Sequence, residues 1–202
     1  DRNRAVYLND LLDLPQPLEL RSLYDAMRIT DCHEQALKIL VEAENAANEL
    51  GLDAERGQIH NLRGNLYFPL GRIEECLAEH ERSLIFARKA GSVEGEALAL
   101  GGLGDGYYLR GHMRSACERF QGCVDLCREH GYGRIEVANR HMVGWTRIYQ
   151  MEFTHAIEDG LEAAAMAARV SQHRAEQLGY MLAGEIEIEL GRFVDARIHL
   201  ER

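Results

Sequence analysis

The chain has 202 residues, 46% of them apolar and 28% charged, with a formal net charge of −10. That balance can fill a buried core, and it argues against a nucleic-acid surface, because phosphate binding draws its affinity from clustered Lys and Arg and no basic run stands out. No apolar run approaches the roughly 20 residues of a membrane span. The opening DRNRAVYLND lacks the apolar centre of a signal peptide, and five cysteines, an odd number without a C-x-x-C pair, fit a reducing cytoplasm.

Residues 1–14 place Ala5, Leu8, Leu11 and Leu12 at helical spacing and stop at Leu14-Pro15-Gln16-Pro17; this segment reads as the end of a preceding module. Pro17 suits the first turn of a helix over about 18–30, because a first-turn proline forfeits no intrahelical bond. A helix over about 33–50 follows and ends at Gly51, with further helices near 55–69 and 73–90. From there the chain repeats itself with a period of 40 residues. Gly64, Gly104, Gly144 and Gly184 form one column, Gly71, Gly111, Met151 and Gly191 a second, and Gly51, Gly91, Gly131 and Ser171 a third. Self-similarity at a fixed period is the mark of a solenoid.

Each second helix should close on the third column, where glycine accepts a left-handed conformation. Small residues recur on the second helices: Ala36, Cys76, Ala116, Ala156 and Ala196 in one column, Ala47, Ala87, Cys127 and Ala167 in another. They let two helices approach closely while Met113, Phe153 and Phe193 fill the gaps. The units expected are 15–52, 53–92, 93–132, 133–172 and an incomplete 173–202, with Leu23, Tyr24 and Met27 keeping the register in a degenerate first repeat. The chain opens on Asp1 rather than Met and stops at Arg202 inside an expected helix, so it reads as a piece of a longer protein with an apolar C-terminal edge.

The order Leu103, Gly104, Tyr107, Gly111, Ala116, Phe120 resembles the tetratricopeptide repeat (TPR), and the long period resembles the extended form found in bacterial signalling proteins. Arg147 departs from the pattern in repeat four, and His80 and Gly160 stand where Phe120 stands. The resemblance implies an all-α, right-handed superhelical solenoid of antiparallel helix pairs. Residues 98–145 with 8–27 also resemble the C-terminal half of bacterial class III adenylate cyclases, in which a cyclase domain and an ATPase module precede a TPR array. No G-x-x-x-x-G-K-[ST] is present, so no P-loop is assigned to this chain.

Three features imitate chemistry. Gly101-Gly102-Leu103-Gly104-Asp105-Gly106 would suit a phosphate loop only after a strand and before a helix. No strand is expected there, so helix packing is the reading. Cys117, Cys123, Cys127 and His130 share a helix, but Cys123 and Cys127 stand in alanine columns and read as small buried hydrophobes rather than zinc ligands. Glu185, Glu187 and Glu189 alternate, which on a helix spreads them around the axis as a solvated face. No catalytic, cofactor or metal site is assigned.

In TPR arrays the first helices line a concave groove. Carried over by register, the groove residues are Asn61, Asn65 and Phe68; Asp105 and Tyr108; His141, Trp145 and Tyr149; Met181, Glu185 and Ile188. Such a groove favours an extended or helical peptide with apolar anchors and some positive charge, although Trp145 could equally pack between neighbouring helices. The Lys/Arg clamp used on C-terminal carboxylates is missing, with Asn61, Gly101, His141 and Met181 in one of its columns. The expected function is therefore a non-catalytic, cytoplasmic protein-interaction scaffold regulating an effector. The alternatives are a fragment of a cyclase or ATPase enzyme, and an oligomerisation module that self-associates through its C-terminal end.

Overall fold

A computed structural model describes residues 33–202. The expected helical segments at 1–14 and 18–30 lie outside the described residues. Within them the chain forms nine helices and no strand: α1 His33–Leu50, α2 Asp53–Tyr67, α3 Ile73–Lys89, α4 Val93–Leu109, α5 Met113–His130, α6 Gly133–Ile148, α7 Phe153–Arg169, α8 His173–Glu189 and α9 Phe193–Leu200. No helix among the described residues is long and apolar enough to cross a membrane.

The turns explain why the helices stop where they do. After the second helices, the N–H groups of Leu52, Ser92, Tyr132 and Gln172 reach back to the carbonyls of Ala47, Ala87, Cys127 and Ala167 at 2.9–3.0 Å. After the first helices, Arg72, His112, Glu152 and Arg192 do the same to Tyr67, Tyr107, Arg147 and Glu187 at 2.7–3.1 Å. This is the Schellman closure, and it needs a left-handed residue just before the donor. Glycine supplies it at most of these turns, whereas Met151 (φ 63°) and Ser171 (φ 56°) adopt it with a side chain.

The chain divides into two compact units between Ser92 and Val93. In the first, Ala36, Leu40 and Ala47 of α1 pack on Ile59, Leu62 and Leu66 of α2, and α2 packs against α3. In the second, α4 pairs with α5, α6 with α7 and α8 with α9, while the first helices α4, α6 and α8 neighbour one another in turn. Its core joins Ala116, Phe120 and Val124 to Val143, and Ala156 and Ile157 to Leu182, Ala183 and Ile186.

The small-residue columns are all buried, from Ala36 to Ala196 and from Ala47 to Ala167. The Gly64 column marks where a facing side chain lies on the backbone. A Cβ at Gly104 would sit 2.6 Å from the Phe120 ring, and one at Gly144 2.5 Å from Leu182 Cδ2. Gly160, which stands in the column of Phe120, lets α7 meet α8, for a Cβ there would lie 2.8 Å from the Gly179 carbonyl oxygen. Phe193 was expected to fill a gap and does not: it is 67% exposed, because no described helix packs over that side of α9.

Candidate interaction groove

The glycine-rich stretch lies inside α4, buried, with Gly101 against Asn139 and Gly104 against Phe120; it is helix packing surface and not a loop. Cys123 and Cys127 are fully buried on α5. Among the described residues, no three His, Cys, Asp or Glu side chains converge as a metal site.

Of the eleven groove candidates, Asn61, Asn65 and Phe68 belong to α2 and its cap in the first unit, where Asn65 is exposed and the other two half-buried. The rest lie in the second unit. Tyr108 of α4 meets Tyr149, at the end of α6, through their hydroxyls, and burial followed by the Tyr149 neighbour pushes the Tyr108 phenol above its usual range. Trp145, Glu185 and Ile188 come together in one cleft of about 530 Å³ between α6 and α8. Trp145 has two sets of surroundings. It packs, half-buried, on the Ala156–Leu182 cluster, and it lines the cleft.

Three candidates stand apart. His141 is buried, and burial lowers its imidazole below the ordinary histidine value, with a backbone hydrogen bond at Val137 opposing. Met181 lines a separate hollow beside α9 with Tyr180, His199 and Arg202. Asp105 is half-buried next to Tyr108, and burial raises its carboxyl to about 7, so near neutrality it is only partly charged.

The cleft also contains residues that register alone did not select. Ile148, Phe153, Ile186, Glu189 and Leu190 complete its lining. The reading of Glu185, Glu187 and Glu189 as one solvated face needs correction. Glu187 is buried and accepts a hydrogen bond from His199 Nδ1 at 2.8 Å, whereas Glu185 and Glu189, four residues apart, turn together into the cleft.

A buried ion cluster in the first unit was also missed. Glu79 accepts from His60 Nδ1 at 2.8 Å and from Arg63 Nη1 at 3.2 Å, and Arg63 also donates to Glu44 at 2.6 Å, tying α1, α2 and α3. Burial drives the Glu79 carboxyl upward, but His60, Arg63 and Arg82 outweigh it and hold the group below its usual value. The signal was present in the sequence, since Arg63 occupies the column of Leu103, Val143 and Ala183.

No family model matches the chain. Over 147 residues it is 24% identical to outer dynein arm-docking complex subunit 4 of Danio rerio, an alignment covering 72% of this chain and 29% of that protein. The chain thus spans less than a third of that relative's length. Among solved structures, it superposes on BtubC (BKLC) from P. vanneervenii with a TM-score of 0.82 at 16% identity, covering 99% of this chain and 83% of the other. A Podosopora anserina protein with nearly identical TPR-like repeats, described as a kinesin light chain, gives 0.70 at 17% identity over 92% and 93% of the two chains. The fold is TPR-like. The apo form of RapI agrees, with a TM-score of 0.76 at 12% identity over 88% and 66% of the chains. At these identities the likeness is one of fold.

Proposed function

We propose that the chain is a non-catalytic protein-interaction module that holds a peptide segment of a partner along the α4–α6–α8 face of its second unit. The α6–α8 cleft carries this reading. It is an open hollow of about 530 Å³ at the surface of a packed helical scaffold, lined by Trp145, Ile148, Phe153, Ile188 and Leu190. That size suits a few side chains of a ligand, and Trp and Tyr are the residue types that most often dominate such contacts. Tyr149, 61% exposed, extends the apolar face toward Tyr108. The test is affinity capture from a lysate of the source cell with the intact chain, Trp145→Ala and Tyr108→Ala, each checked for wild-type helicity. Partners retained by the intact chain should be lost from Trp145→Ala. Equal capture by all three proteins would remove the groove as the site.

Two wider readings belong beside it. Self-association through α9 is favoured by the exposure of Phe193, Val194 and Ile198, at 67%, 69% and 49%. Regulation of an attached effector rests on the resemblance of residues 8–27 and 98–145 to cyclase-linked arrays, and the relatives above bring no cyclase with them. A cyclase domain or P-loop encoded upstream of Asp1 would support that reading, and a gene starting near Asp1 would end it.

A further inference from the structure

The cleft is apolar along its floor and acidic along one edge. Glu185 and Glu189 both line it, and neither has an ion-pair or hydrogen-bond partner among the described residues. Elsewhere in the same unit, some carboxylates have guanidinium partners. Glu162 meets Arg140, Glu136 meets Arg140 and Arg128, and Asp159 meets Arg147. The guanidinium of Arg147, the basic group closest in sequence to Trp145, is already held by Asp159 and Glu152. Glu187, between the two free carboxylates, turns inward to His199. The cleft edge therefore keeps two uncompensated negative charges beside a half-buried tryptophan, on a chain whose net charge is −10.

We infer that the cleft takes a partner segment whose apolar anchor side chain is flanked by Lys or Arg, and that Glu185 and Glu189 select it. The anchor fills the floor between Trp145, Ile148 and Ile188, and the flanking cations supply the charge that the protein itself withholds. Asp105, partly protonated near neutrality, contributes little to this selection. The inference rests on the groove reading and adds to it the chemistry of the ligand. An acidic segment would meet like charge across the edge, and a neutral one would forfeit the electrostatic part of the binding.

Selection from a random-peptide display library on the intact chain, with counter-selection on Trp145→Ala, tests both layers separately. Trp145 is the only tryptophan in the chain, so its fluorescence reports occupancy of the cleft directly. The expected winners carry apolar anchors with Lys or Arg on either side. A selected peptide should bind roughly tenfold more tightly at low salt than its version with Gln in place of the cations, as two exposed ion pairs allow. The difference should vanish at high salt and in Glu185→Gln/Glu189→Gln. Winners with neutral or acidic flanks, or a preference that survives the double variant, would overturn the charge selection and leave the groove intact. A library yielding no Trp145-dependent binder, or binding seen only as association between copies of this chain, would overturn both.

Discussion

His80, buried, and Asp105, half-buried, are ionisable residues that desolvation moves in opposite senses on the pH axis. His80 lies against Gly64 in the first unit, and burial, opposed by the Glu79 charge, lowers it from 6.5 to about 4. Between those values the unfolded chain takes a proton that the folded chain refuses. The contribution to stability is therefore full above 6.5 and is lost as the pH falls through 4. Asp105 is raised from 3.8 to about 7, so the folded chain keeps a proton that the unfolded chain releases. Its contribution is full below 3.8 and is lost as the pH rises through 7. His80→Leu, which installs the residue found at Leu40 in the same column, should gain in melting temperature relative to wild type as the pH is lowered toward about 5. Asp105→Asn should raise the melting temperature at about pH 8, with the gain shrinking in acid. Each kcal/mol recovered corresponds to about 2–4 °C for a chain of this size. Differences that stay constant across pH would show that the two groups titrate alike in the folded and unfolded chains.

At the scale of the element, the same position pair is filled twice with the acidic and basic residue types exchanged. Arg147 on α6 meets Asp159 on α7 at 2.8 Å, and 40 residues on Glu187 on α8 meets His199 on α9 at 2.8 Å. The helix pair thus fixes where a polar bridge sits and leaves its polarity open. Glu187→Arg alone should destabilise the chain by about 3–5 kcal/mol, since it puts an unpaired charge in a buried place. Adding His199→Asp should recover a coupling energy of about 1–3 kcal/mol in a double-mutant cycle read by urea denaturation; strictly additive losses would refute the exchange. This pair also marks the limit of what the sequence discloses. The 40-residue columns revealed the helix ends, the left-handed turns and the small buried positions, because each depends on one residue type recurring in phase. Ion pairs recur in position without keeping one residue type, so no column displays them, and they surface only as exceptions such as Arg63 in an apolar column. The cleft was legible in part. Register selected Trp145, Glu185 and Ile188, but the cleft opens where α6, the start of α7 and the end of α8 meet, so Phe153 and Leu190 joined from outside the expected columns.

At the scale of the molecule, the question is what α9 presents to solvent. In the earlier second helices, the columns of Val194 and Ile198 hold Glu74, Arg114 and Thr154, and Ala78, Glu118 and Glu158, whereas the column of Arg197 holds Leu77, Cys117 and Ile157. The apolar stripe of α9 has moved by one residue, about 100° around the helix. It now points where its counterparts are mostly polar, leaving Val194 69% and Ile198 49% exposed. A contiguous apolar patch of this kind marks an interaction surface more often than an accident of sequence. A second copy of the chain is a partner always at hand, with the net charge of −10 opposing its approach. Mass measured by light scattering should therefore rise with protein concentration, and rise further as salt screens the charge. Val194→Glu with Ile198→Glu should abolish the rise, while Arg197→Leu, which restores the column residue without removing the patch, should not. A mass fixed at that of one chain at every concentration and salt would show that α9 does not join copies of this protein.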